Sequence, residues 1–120
     1  MAYDADNIFA KILRDEIPSR RVYEDDEFIA FRDIAPSAPT HIIVIPRLRD
    51  GVAPTGPAGL ADEDAAMVGR LVLTATRIAE EQGLASEGYR LVMNSGEAAG
   101  QTVFHLHLHI LGGGRLGPVA

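Results

Sequence analysis

The sequence predicts an α+β fold, in which a five-stranded, mainly antiparallel sheet carries a short N-terminal helix and one long helix. Three observations lead there. Strand-like runs recur at 21–24, 28–33, 40–46, 88–94 and 103–111. A single long stretch, 62–83, repeats its apolar residues at helical spacing. The resulting order is helix, three strands, long helix, two strands, and strands broken by only one long helix favour an antiparallel sheet over a parallel one.

Taken in order, Asp6–Arg14 reads as the short helix, with Asp6 as N-cap, Ile8, Phe9 and Ile12 on one side, and Pro18 as terminator. That stripe suits packing on a sheet or the wall of an apolar slot for a flat ligand. Arg21–Glu24 and Phe28–Asp33 form two strands joined around Asp25-Asp26. Asp33 closes the second of them, placed either to cap the turn before Pro36 or to accept hydrogen bonds from sugar hydroxyls. Thr40–Pro46 is nearly all apolar, as in a central strand covered on both faces, and His41 enters at its start. Arg47–Gly59, punctuated by Pro54, Gly56, Pro57 and Gly59, is a long loop. In the long helix, Asp62 is the expected N-cap and Gly83 the stop. Its face of Met67, Val68, Leu71, Val72, Ala75, Ile78 and Ala79 is core, with enough apolar surface to serve a dimer interface as well. Gly88–Asn94 is the fourth strand. Gly112–Ala120 has the composition of a loose tail.

The whole chain, 1–120, is expected to be a single domain with its core at about 7–113 and its tail at 114–120. It contains no cysteine, which excludes disulfides and zinc–thiolate sites. With 11 Lys and Arg against 17 Asp and Glu, the net charge of −6 argues against binding polymeric nucleic acid, though not against a single nucleotide. The acidic start lacks a basic region followed by an apolar run, and no apolar stretch approaches a membrane span. A cytoplasmic protein with no membrane partner is expected.

Chemistry concentrates at 101–111. Three of the four histidines, His105, His107 and His109, alternate there with Phe104, Leu106, Leu108 and Ile110. A strand would carry the imidazoles on one face, about 6.5–7 Å apart along the chain. Such a face suits metal binding, by analogy with other His-x-His ligand pairs, or nucleophilic and acid–base catalysis. The preceding loop, Asn94–Thr102, is rich in small residues, and Gly100, Gln101 and Thr102 fit close approach to a phosphate or another oxyanion. Glu97 is the one carboxylate nearby, a poor supply for a metal, so catalysis at phosphorus is favoured.

The segment His105-Leu106-His107-Leu108-His109-Ile110-Leu111 resembles the signature of the histidine triad (HIT) superfamily. Phe31–His41, Ile45-Pro46, Gly88-Tyr89-Arg90, Asn94 and Gly100–Phe104 resemble, in the same order, its histidine triad nucleotide-binding (Hint) branch of nucleoside phosphoramidate hydrolases. That resemblance implies His107 as nucleophile toward the α-phosphorus of a purine nucleoside 5′-phosphoramidate or related conjugate. The product would be AMP or GMP, released by way of a nucleotidyl-histidine. It implies that His105 and His41 order His107, and that His109 assists at the phosphate or leaving group. Asn94, Gly100, Gln101, Thr102 and Val103 would contact phosphate or ribose, and Asp33 the ribose hydroxyls. Ile8, Phe9, Ile12, Phe31, Arg32 and Ile34 would surround the base. A homodimer with one continuous sheet is implied, with no metal and no cofactor. A dinucleoside polyphosphate hydrolase and a nucleotide-binding regulatory module are the alternatives. The chain departs from the family pattern in lacking a tail Trp, in carrying Thr102 where Ser is more usual, and in a longer loop at 52–59.

Overall fold

The computed structural model describes residues 2–119, so Met1 and Ala120, the two ends of the expected domain, lie outside it. Helix α1 spans Ile8–Leu13. Strands β1 (Arg21–Glu24), β2 (Phe28–Arg32) and β3 (Thr40–Pro46) follow, then helix α2 (Ala65–Glu81), β4 (Arg90–Val92) and β5 (Leu108–Gly112). The five strands form one sheet in the order β1-β2-β3-β5-β4, with every neighbouring pair antiparallel. Among the described residues no helix is long and apolar enough to cross a membrane.

Several expected boundaries move, each for a local reason. The cap of α1 is Asn7, not Asp6, because the Asn7 Oδ1 accepts both Phe9 N–H and Ala10 N–H, at 2.9 and 3.0 Å. The helix stops at Leu13, well before Pro18, where Asp15 turns into the left-handed region at φ 59°. Asp62 does not cap α2 either. It opens a 3₁₀ turn, and Asp64 instead accepts Ala61 N–H at 2.8 Å before the α-helix begins. β4 is shorter than expected. In β5 the ladder starts only at Leu108, although the alternation begins at Val103.

Alternation along β3 divides the core between the two faces of the sheet. Ile42 and Val44 join Leu71, Ala75, Ile78, Leu106, Leu108 and Ile110 under α2. Ile43 and Ile45 join Phe9, Ile12, Ile29 and Phe31 under α1. Helix α1 has only six residues, a length of about 9 Å, so it covers part of its face and leaves the rest open. The histidines lie on that incompletely covered face.

Candidate active site

The site is assembled from β3, β5 and the extended segment that leads into β5. Residues 103–107 have no strand partner, yet their backbone is held by the loop after β3, through Leu106 N–H donating to Pro54 C=O at 2.7 Å. Gln101 ties the same two segments together. Its buried amide donates to Thr55 C=O and Val103 C=O, at 2.8 and 3.1 Å, and accepts Gly96 N–H at 2.8 Å. The expectation that Gln101 offers its amide to a phosphate is therefore corrected, since both of its donors are engaged.

The tautomer of each imidazole follows from its partners. His105 is fully buried and its Nε2 lies 2.9 Å from Pro46 C=O, which only accepts, so Nε2 carries the proton. His107 Nδ1 lies 2.7 Å from the carbonyl of His105, so this ring carries its proton on Nδ1 and leaves Nε2 as a lone pair. His109 has the opposite arrangement. His41 Nδ1 accepts Ser37 N–H at 3.0 Å, so its Nε2–H points 2.8 Å to His109 Nδ1, and His109 keeps its proton on Nε2. The resemblance implied that His105 and His41 order His107; in the structure His41 faces His109, and the group that accepts the His107 Nδ1–H is the backbone carbonyl of His105.

Burial keeps all four rings neutral. Desolvation, with a smaller contribution from the neighbouring His107, lowers His105 and His109 to about 4. His41 and His107 are lowered by the same cause, with the Asp33 carboxylate opposing it in each. The rings of His107 and His109 meet edge to face at 4.9 Å, and Phe9 of α1 stands edge-on to His107 at 5.0 Å.

These two rings border a cleft of about 360 Å³, whose lining also includes Ile8, Phe9, Ile12, Phe31 and Ile34 together with Thr102 and Val103. Its volume lies within the roughly 300–1,000 Å³ of small-molecule sites. Asp33 stands at the rim, with Oδ1 accepting Ala35 N–H at 2.8 Å and Oδ2 3.5 Å from His41 Nε2. It is thus a turn cap that still shows one oxygen to the site. Arg32 also lines the cleft, while its guanidinium donates to Gln82 at the C-terminal end of α2 at 2.9 Å. Asn94 and Gly100 lie outside the residues that line the cleft. A larger cavity of about 490 Å³ lies under the 47–54 loop, lined by Pro46, Arg47, Arg49, Val52 and Met67, and no histidine borders it.

Comparison with known proteins adds a family to this geometry. The model of the HIT domain matches residues 14–116. The chain belongs to the HIT family. This HIT protein is 49% identical over 114 residues to the purine nucleoside phosphoramidase of Escherichia coli (strain K12), covering 95% of this chain and 92% of that one. It is 46% identical over 110 residues to adenylylsulfatase HINT1 of Arabidopsis thaliana, covering 92% and 73%. A 14 kDa zinc-binding protein of Brassica juncea is 47% identical, covering 90% and 93%. Among solved structures, a histidine triad protein from Clostridium difficile superposes with a TM-score of 0.89 at 38% identity, covering 99% and 100%.

Two features of this HIT protein escape sequence reasoning. The carbonyls of Pro46 and Pro54, which hold the histidine segment, have no signature because any residue supplies a carbonyl. Tyr3, isolated in a polar start, places its hydroxyl 2.7 Å from His105 Nδ1. As to a metal, Asp33, His41 and His109 each offer a donor atom within 4.8 Å of the others. The fit is poor, because His41 Nε2 and His109 Nδ1 already share a proton that zinc would have to displace.

Proposed function

We propose that this HIT protein hydrolyses purine nucleoside 5′-phosphoramidates, or related nucleotidyl conjugates, to a nucleoside monophosphate through a nucleotidyl-histidine. The observation that carries this reading is the opposed tautomers of two touching rings, a bare Nε2 on His107 beside an Nε2–H on His109. A neutral imidazole with its second nitrogen tied to a carbonyl is a competent nucleophile at neutral pH. His107 Nε2 forms a bond to the α-phosphorus as the P–N bond breaks, and the departing amine takes a proton from solvent. His109 Nε2–H hydrogen-bonds the phosphate oxygens or the leaving group as charge develops there. Water then attacks phosphorus, the His107–phosphorus bond breaks and the proton returns to solvent. His105 and His41 position the other two rings. Thr102 and Val103 flank the phosphate, Asp33 takes a ribose hydroxyl, and Ile8, Phe9, Ile12, Phe31 and Ile34 enclose the base.

The names of the Escherichia coli and Arabidopsis thaliana relatives support a nucleotidyl hydrolase. Such an enzyme meets its substrates in the cytoplasm, where we place it, as a homodimer. The deciding experiment is rapid-mix mass spectrometry with adenosine 5′-phosphoramidate, comparing the natural chain with His107→Ala. A transient nucleotidyl adduct with AMP release, seen only when His107 is present, is the expected result. Bound nucleotide without adduct or AMP would mean a regulatory module. Faster turnover of diadenosine polyphosphate in a parallel assay would mean the other branch of the superfamily.

A further inference from the structure

His105 does not border the cleft, yet its ring is the most elaborately held of the four. It is fully buried, it donates from Nε2 to Pro46 C=O at 2.9 Å, and its Nδ1 faces the Tyr3 hydroxyl at 2.7 Å. With the Nε2 proton committed to a carbonyl and the ring neutral, Nδ1 is a lone pair and the phenol is the donor. Burial raises the Tyr3 phenol above its ordinary value, which keeps that proton in place. The rings of Tyr3 and His105 also meet edge to face at 5.6 Å. The carbonyl of this same His105 accepts the His107 Nδ1–H. A chain of donors thus runs from the N-terminal segment, through a buried ring and its backbone, to the reacting imidazole.

We propose that Tyr3 is a positioning residue of the transfer site, locking the His105 ring so that the His105 carbonyl keeps His107 in the tautomer with a bare Nε2. The proposal rests on the phosphoramidase reading for its effect on rate, and on geometry alone for the lock. Without the hydroxyl, a buried acceptor is left unpaired, and the His105 ring gains a reason to rotate or to admit water. Either change shifts the carbonyl on which His107 depends, and small displacements of a nucleophile cost rate more than binding.

The test is Tyr3→Phe, which keeps the ring packing and removes only the hydroxyl. Tyr23→Phe is the control, because its hydroxyl bonds Asp25 on the hairpin away from the cleft. Expected for Tyr3→Phe is a fall in kcat of about ten-fold with KM within about two-fold, the scale of one lost buried hydrogen bond acting on the transition state. Imidazole ¹⁵N spectra should show His105 Nδ1 losing its hydrogen-bonded shift and His107 losing its single Nδ1–H pattern. The control should change neither. If the natural chain turns over and Tyr3→Phe matches it in kcat and in both nitrogen patterns, the proposal is overturned and the phosphoramidase reading stands. If the natural chain shows no turnover, that reading falls, and the ¹⁵N patterns alone decide the lock.

Discussion

At the scale of single residues, the site depends on keeping imidazoles uncharged. A free imidazole titrates near 6.5, whereas burial holds His105 and His109 at about 4 and lowers His41 and His107 too. Between those values the unfolded chain binds protons that the folded chain refuses. The stability these rings contribute is therefore complete above about pH 6.5 and is lost as pH falls toward about 4. Calorimetry should find a Tm at pH 5 at least about 5 °C below that at pH 7.5, since about 1 kcal/mol moves Tm by roughly 4–8 °C in a small domain. A Tm that is flat or rising over that range would contradict the burial argument. The same depression places the acid limb of kcat/KM below pH 6.5, because His107 must be neutral to attack. His107→Ala should lower turnover by at least about a thousand-fold while the Tm stays near that of the natural chain. A variant that still turned over at a tenth of the natural rate would falsify the nucleophile assignment.

At the scale of elements, the histidine segment shows how far a pattern can be read. The alternation from Val103 to Leu111 correctly separates the histidine face from Leu106, Leu108 and Ile110, which lie in the core under α2. It does not reveal that the ladder begins only at Leu108, because periodicity reports which side faces the core and not who supplies hydrogen bonds. The supplier is Pro54 in the loop after β3, which sequence reasoning identifies only as a long connection. Likewise β3 is legible to the residue, being an unbroken apolar run, while Asn7 and Asp6 compete as caps on equal propensity and only geometry selects Asn7. Gln101 looks like a phosphate donor from its place in a glycine loop. Its actual role, as a clamp between loops, depends on Thr55, far away in sequence. Gln101→Ala should leave Gly96 N–H and Thr55 C=O without their partner and cost about 1–3 kcal/mol in urea unfolding. It should also lower kcat, by loosening the segment that carries His107. The approach is close enough that a Cβ on Gly56 would sit 2.8 Å from the Gln101 amide, so Gly56→Ala should mimic the loss. An unchanged urea midpoint in both variants would remove the clamp from the account.

At the scale of the whole molecule, the sheet has two open edges, and they are not alike. Edge strand β1 carries Arg21 and Glu24, which bond each other at 2.8 Å, and a bulge between Arg21 and Tyr23 interrupts its register. Charges and bulges of this kind protect an edge against further pairing. Edge strand β4 is three residues long and half-buried, with Leu91 and its neighbour Met93 packed against the core under α2. Along α2, Arg70 turns to Glu27 of the β1–β2 hairpin, at 2.6 Å. Val68 and Val72, on a different stripe of the helix, remain only partly covered. A short edge strand whose one charge, Arg90, turns to Gly117 C=O of the tail at 2.7 Å lies in the same core cluster as that half-covered stripe, and we propose it as the surface a second copy of the chain would join, extending the sheet through β4. Sedimentation equilibrium at tens of micromolar should therefore return twice the chain mass. Val72→Arg, whose long stem reaches solvent in the monomer but would place a charge in the helix contact, should shift the equilibrium to single chains with the fold retained by circular dichroism. Single chains for the natural sequence would end the dimer proposal, and a Val72→Arg dimer as tight as the natural one would move the interface elsewhere. Neither result touches the tautomers of His107 and His109, because every partner that sets them lies within one chain.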